Sequence, residues 1–453
     1  MRFTPVAPFA LLPLLAGVAA ACSSAVDPGL AAGATGSGGA GSATATTASV
    51  TTAVSTATAS SGTGGGGVDI GQPSNVYPAP HPDGPTVAAF GGPILATPKL
   101  YPIFFSNDNA TLRTKVEDFE SKLGSTKYWA ATTSEYGVGP ITASMPIELA
   151  ETATGSLDDT AIQTWLLGKI NGNDPAFPAD PNGIFIIHYP AGVSTTLNGG
   201  PMGTQNSCLD FGGYHSNVVL DGAHQNQNIA YSVIPRCGTF GQLTGVDAVT
   251  GTLSHEIIEA VTDPFPMVSP AYASIDPKHA YWQRFLGGGE VGDMCENRPD
   301  AFTVFPEMPY TVQRTWSNKA SQTGHQPCVP ALAGELYFNA VPVLTDNVKA
   351  VVQGQTVYVK GVKIAVGKTK IVELDLFSDA DTGGPWQVDV QDVSANFGQP
   401  HLTLNLDQFS GQNGQKLHLS ITVDSAGNNN TETFIVTSSL GQVQHSWLGI
   451  VGS

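Results

Sequence analysis

Basic residues are scarce in this chain: 19 Lys and Arg stand against 37 Asp and Glu, a formal net charge of −18 over 453 residues. That balance excludes nucleic acid and anionic lipid as electrostatic partners, and it suits a protein that binds cations. Charged residues of both signs make up only 12 % of the chain, which fits an extracytoplasmic, loop-rich protein. Beyond the first 22 residues no apolar run approaches the roughly 18 residues needed to span a bilayer. Cysteine is sparse, with five in all, and the C-x-x-C spacing of thiolate zinc sites is absent. G-x-S-x-G is missing too, so Ser254 beside His255 does not announce a serine nucleophile.

The N-terminus reads as an export signal. Arg2 precedes the apolar run Leu11-Leu12-Pro13-Leu14-Leu15, and small residues Ala19-Ala20-Ala21 lead to Cys22. This pattern resembles a bacterial lipoprotein signal over residues 1–22, with Cys22 as the lipidated first residue; plain secretion is the alternative. Residues 23–70 are almost entirely Ala, Gly, Ser and Thr, and such a segment cannot bury enough apolar surface to offset its ordering entropy. It is expected to be a tether, so contact with a membrane is expected only through the lipidated N-terminus. The four remaining cysteines, Cys208, Cys237, Cys295 and Cys328, are an even number in an exported chain and suggest two disulfides. Three connectivities are possible, and pairing of sequence neighbours is preferred.

Two textures follow. From about 88 to 330, strands alternate with helices. Lys99 to Phe105 reads as a strand, and Asn109 caps a helix with Leu112, Val116, Phe119 and Leu123 on one face. Asp158 begins another helix with Ile162, Trp165, Leu166 and Ile170 inward. Gly183 to Tyr189 and Ile229 to Ile234 read as buried strands. The pattern predicts an α/β domain. From 333 to 453 no helical period remains. Runs such as Ile371–Phe377, Trp386–Val390, Leu402–Leu406, Leu417–Val423 and Phe434–Val436 predict an all-β, immunoglobulin-like sandwich. Its role is open between surface or substrate binding and a structural spacer.

The chemistry concentrates in T-L-S-H-E-I-I-E-A-V-T-D-P, residues 252–264. On a helix, His255 and Glu259 lie one turn apart on one face and can converge on a metal ion, with Glu256 placed to act as general base on a metal-activated water. The arrangement copies the H-E-x-x-H helix of zinc peptidases, with a carboxylate replacing the second imidazole. Val246, Val249, Leu253, Ile257 and Val261 form the opposite stripe, and Asp263-Pro264 stops the helix. An ordinary amphipathic helix with a solvated polar face would show the same letters. A third ligand is expected from Gly287-Gly288-Gly289-Glu290-Val291-Gly292-Asp293, with Glu290 preferred and Asp293 orienting a histidine. His215 is an alternative ligand. Two carboxylates on the ion leave it less electrophilic than a two-histidine set does. One imidazole favours Zn²⁺, while the oxygen-rich set admits Ca²⁺ as a structural ion.

The S-H-E-I-I-E-A-V-T-D-P and G-E-V-G-D-M-C pair is similar to motifs of secreted bacterial and fungal proteins described as zinc metallopeptidases. F-G-G-P-I-L near 90, Y-W-A-A-T-T-S-E-Y at 128–136 and S-C-L-D-F-G-G-Y-H-S at 207–216 resemble the plant phosphate-induced, Exordium-like family in the same order. The first resemblance implies a zincin-like domain that hydrolyses peptide bonds in a peptide or protein substrate. The second implies a non-catalytic secreted protein acting on cell-surface material, because the plant members compared lack the H-E-x-x-E helix.

Overall fold

The computed structural model describes residues 70–453, apart from 173, 201, 202, 225, 287 and 353. The expected signal, Cys22 and the tether up to residue 69 lie outside the described residues. No helix among the described residues is long and apolar enough to cross a membrane.

The first module is built on β1 (Lys99–Phe104), α1 (Ala110–Leu123), α2 (Asp159–Asn171), β2 (Gly183–Tyr189), β3 (Tyr214–Val219), β4 (Asn228–Pro235), α3 (Gly245–Thr262) and β5 (Met308–Gln313). Strands β1, β2 and β4 pair in parallel, and β3 closes the edge antiparallel to β4. The short strands Thr142–Ala143 and Ile147–Glu148 flank β1 on its other side. Parallel central strands must be covered on both faces, which explains why β2 and β4 read as unbroken apolar runs.

Alternation along each strand separates the two faces. Leu100, Phe104, Ile184, Ile186, Ala230 and Ile234 pack with α1 and α3, while Tyr101, Ile103, Phe185, Ile187, Tyr231 and Val233 pack with α2. The caps follow the sequence: Asn109 Oδ1 accepts from the Leu112 N–H at 3.0 Å, and Asp158 Oδ1 from the Ala161 N–H at 2.9 Å.

The second module is a β-sandwich. One sheet has four strands in the order Phe338–Pro342, Thr369–Ser378, Lys416–Val423, Leu402–Leu406. The other has six, running Asp346–Val352, Gln355–Lys363, Val443–Gly452, Thr431–Leu440, Trp386–Asp392, Ser410–Gly411. Leu374, Leu376, Leu417, Leu419, Trp386 and Phe434 fill the space between the sheets.

The modules share a core. Trp447 of the sandwich meets Trp282 edge-to-face at 5.2 Å, and both belong to the same buried cluster as Ile257 and Val261 of α3. The segment before residue 88 also joins them. Lys416 N–H donates to the Ile70 carbonyl at 2.8 Å, and Asn413, nearly fully buried, accepts from the Ala79 N–H and donates to the carbonyls of Ser74 and Val76. The chain therefore runs along the sandwich before Val87–Ala89 pairs with Tyr272–Ile275 in the first module.

Candidate metal centre

Helix α3 is the axis of the site. It departs from the one-sided amphipathic reading, because every residue from Ala248 to Thr262 is buried. The stripe opposite the motif faces the sheet and α1. The motif face is covered by β5 and by the segment carrying Glu290 and Asp293. His255, Glu256 and Glu259 are each 0 % exposed, so the solvated-face alternative is excluded.

Four elements bring the acidic and imidazole groups together. Helix α3 supplies His255, Glu256 and Glu259, and Asp263 follows it. The edge strand β3 supplies His215, which pairs with Ser232 of β4 and, by alternation, shares the α3-facing side with Asn217. The glycine-rich segment supplies Glu290, and the short helix Asp293–Glu296 supplies Asp293. His255 Nε2 lies 3.0 Å from Glu259 Oε2 and 3.9 Å from Asp293 Oδ1. His215 Nδ1 lies 3.6 Å from Glu256 Oε2 and 3.7 Å from Glu259 Oε2, and its Nε2 is 3.8 Å from Glu290 Oε2.

Hydrogen bonds outside the cluster orient both imidazoles. Gln313 Nε2 donates to the Gly292 carbonyl at 2.7 Å, which turns its Oε1 toward His255 Nδ1 at 2.9 Å. Nδ1 of His255 is then a donor, and Nε2 faces the acidic side chains. His215 Nε2 lies 3.1 Å from the Asp263 carbonyl and donates to it, which directs Nδ1 toward Glu256 and Glu259. Glu259 is fixed in turn, its Oε1 accepting from the backbone N–H groups of Gly292 at 3.1 Å and Asp293 at 3.2 Å. Asp263 Oδ1 accepts from the Ala271 N–H at 2.7 Å, and Asp293 Oδ2 from the Glu290 N–H at 3.1 Å.

The glycines of this segment are there for close approach. A Cβ at Gly292 would sit 2.7 Å from Glu259 Oε1 and from His255 Nδ1, and one at Gly288 would sit 1.9 Å from Asp293 Oδ2. The disulfides brace two of the ligand-bearing segments. Cys208–Cys237 ties the loop before β3 to the end of β4, and Cys295–Cys328 anchors the helix of Asp293. These are the pairings of sequence neighbours.

Several polar atoms have no hydrogen-bond partner among the described residues: both carboxylate oxygens of Glu256, Glu259 Oε2, Asp263 Oδ2, Glu290 Oε2 and His215 Nδ1. Among the described residues no Lys or Arg forms an ion pair with these carboxylates; Arg314 is engaged by Asp300 and Glu335. Burial drives Glu290 far above the usual carboxyl range, with Glu259, Asp263 and Asp293 adding repulsion. Burial and the Glu259 charge push Asp293 up to about 7. Burial raises Glu256 despite His215 and His255 beside it. For Glu259 burial acts upward too, but the His255 contact outweighs it and holds the carboxyl below its ordinary value. Burial lowers His215, yet Glu256, Glu259 and Asp263 together hold it above its ordinary value.

Two overlapping sets have one candidate ligand atom per residue, all within 4.8 Å of one another: His255–Glu259–Asp293 and His215–Glu259–Glu290. The expected ligands thus converge, but Asp293 rather than Glu290 sits with His255, and Glu290 sits with His215. The group that orients His255 is Gln313, which sequence reasoning missed; nothing in the sequence links it to a helix 58 residues away. Asp263 was legible only as a helix stop.

Open clefts lie elsewhere. One of about 230 Å³ is lined by Glu135, Tyr136, Tyr272 and Asn318, and another of about 150 Å³ lies between the modules near Trp282 and Trp447. Neither includes a side chain of the acidic cluster, which is closed to solvent.

No family model and no curated protein matches the chain. Among solved structures, domains 1–6 of the surface-layer protein SbsC match 34 % of this chain and 18 % of that one, at 14 % identity and a TM-score of 0.16. The titin M3 domain matches 25 % of this chain and 96 % of its own, at 13 % identity and a TM-score of 0.14. Such scores lie far below those of a shared fold, so the architecture described above rests on strand order and packing alone.

Proposed function

We propose that this protein is an exported, zinc-dependent peptidase of zincin-like type, joined to an immunoglobulin-like β-module and lipid-anchored through Cys22. His255, Glu259 and Asp293 would hold the ion. The observation that carries the reading is Glu256: a buried carboxylate beside both histidines, with neither oxygen hydrogen-bonded. Zinc bound here would supply Lewis acidity toward a water and a peptide carbonyl. Glu256, raised above the ordinary carboxyl range, is suited to take the proton from that water and return it to the leaving amine. Gln313 holds the His255 tautomer, and Glu259 is clamped by two backbone N–H groups. The disulfides suit an oxidising compartment outside the cytoplasm.

Complete burial of the cluster favours a second reading, a non-catalytic, Exordium-like protein at the cell surface whose ion, Zn²⁺ or Ca²⁺, braces the fold. Metal analysis and peptide-library hydrolysis on three proteins separate the two. Under the peptidase reading, Glu256→Gln keeps the metal and loses hydrolysis by about 10²- to 10⁴-fold, while His255→Ala loses both. Metal in the wild type with no hydrolysis of any peptide establishes the structural reading. No metal in the wild type removes both.

A further inference from the structure

The cluster is richer than one ion requires. Beyond His255, Glu259 and Asp293, it holds a second imidazole and a second carboxylate, His215 and Glu290, which complete a set of their own with Glu259. We infer that the site is a two-ion centre for divalent cations, with Glu259 shared between a His255–Asp293 position and a His215–Glu290 position. The inference rests on the metal-site reading above and extends it.

Three independent observations point to a second cation rather than a supporting shell. His215 Nε2 is engaged by the Asp263 carbonyl, so Nδ1 faces inward with no hydrogen-bond partner among the described residues on a fully buried ring. Glu290 Oε2 is likewise unpartnered and 97 % buried, since the residue is only 3 % exposed. Glu259, finally, has one oxygen clamped by two backbone N–H groups, while Oε2 lies 3.0 Å from His255 Nε2 and 3.7 Å from His215 Nδ1. One unclamped oxygen within reach of both imidazoles is the placement a bridging carboxylate requires. Shared carboxylates of this kind hold ions about 3.5–4 Å apart in two-metal hydrolases.

The charge count agrees. Glu256, Glu259, Asp263, Glu290 and Asp293 gather five carboxyl groups out of water, and among the described residues no basic side chain other than the two histidines forms an ion pair with them. A single dication offsets the charge of two of these carboxylates, whereas two offset that of four. The donor sets match in type, one imidazole and carboxylates, so both positions take the same class of ion, Zn²⁺ or a related first-row dication.

The test is metal stoichiometry on the full-length protein, loaded with Zn²⁺ and passed through gel filtration, with Mn²⁺-loaded samples read by electron paramagnetic resonance. Wild type should carry two equivalents and give an exchange-coupled Mn²⁺ spectrum. His215→Ala and the near-isosteric Glu290→Gln should each retain one equivalent and lose the coupling, and His255→Ala should behave as their mirror image. Glu290→Gln guards against misfolding of the alanine variants, and near-ultraviolet circular dichroism checks each fold. One equivalent in the wild type, kept by Glu290→Gln and lost by His255→Ala, overturns the two-ion centre and leaves the single zinc site standing. Two equivalents that persist in both His215→Ala and Glu290→Gln also overturn it. No metal in the wild type overturns both.

Discussion

Without a bound ion, stability should fall as pH rises, and Asp293 is where that effect can be isolated. In the metal-free protein its carboxyl is moved from 3.8 to about 7 by burial and by the Glu259 charge. A group whose folded pKa is raised contributes stability that is fully present below its unfolded value and is lost as pH climbs through the folded value. The window is therefore pH 3.8 to about 7. The displacement is worth about 4 kcal/mol at about 1.36 kcal/mol per tenfold change in proton affinity, and no solvent discount applies because the group is buried. Asp293→Asn removes the titration while keeping the shape. Chelator-treated wild type and variant are compared by urea unfolding across that window. The variant should gain on the wild type steadily with pH, reaching about 4 kcal/mol near neutrality. Taking the difference cancels opposing groups such as His188 and His445, whose pKa values burial depresses and which weaken the fold in acid. With Zn²⁺ present the wild type should regain stability as pH rises, because the ligands must be deprotonated to bind. A difference between the two apo proteins that stays constant with pH would refute the assignment of Asp293 to the cluster.

Two structural predictions accompany it. Replacing Cys295 and Cys328 by Ser opens a loop of 33 residues and should cost about 3.7 kcal/mol by the chain-entropy relation, read as a lower urea midpoint; metal affinity should fall with it, since Asp293 lies two residues from Cys295, and unchanged affinity would show that the bridge does not brace the site. Trp447→Ala removes the sandwich's contribution to the Trp282 contact and should cost about 3–5 kcal/mol with both modules unfolding together. Two separated transitions would contradict a shared core.

How much of this was legible in the sequence depends on the range of the interaction involved. The i, i+4 pair His255–Glu259 and the caps Asn109 and Asp158 are local geometry, and the residues specify them directly. Strands β2 and β4 were legible because a strand covered on both faces is apolar without interruption. Lys416–Val423 was legible because alternation marks it as half-buried. His215 could be named from a matching block, but its arrival beside Glu256 depends on the β3–β4 register, which pairs it with Ser232. Gln313 is more distant still: it reaches His255 only because β5 crosses over α3, and an isolated glutamine carries no pattern. The alternative of a solvated polar face on α3 failed for the same reason, since amphipathicity in one helix does not tell what other segments lay over its polar side. The contact of residues 70–80 with the sandwich was equally hidden, because nothing in the sequence marks Asn413 as the side chain that holds them.

Burial is the property on which the two functional readings turn, and it acts in both directions. In a site closed to water every charge interaction strengthens, which favours tight ion binding and an effective base, but a peptide must also enter. The glycine-rich segment is not an obvious door. Gly288 and Gly292 lie against Asp293, Glu259 and His255, and a Cβ at Gly289 would sit 2.9 Å from the Ser274 backbone, so these glycines serve tight packing. Taken alone, that closure favours a structural ion. Glu256 weighs on the other side. A purely structural site could place an apolar residue on that turn of α3, whereas a carboxylate with two unpartnered oxygens costs about 1–3 kcal/mol or more in desolvation. An ion held by these groups would already have ligands from β3, α3 and the Asp293 helix, and would not need Glu256 to hold these elements together. The group that the fold carries at a cost, beside two imidazoles, is the one that hydrolysis requires and bracing does not.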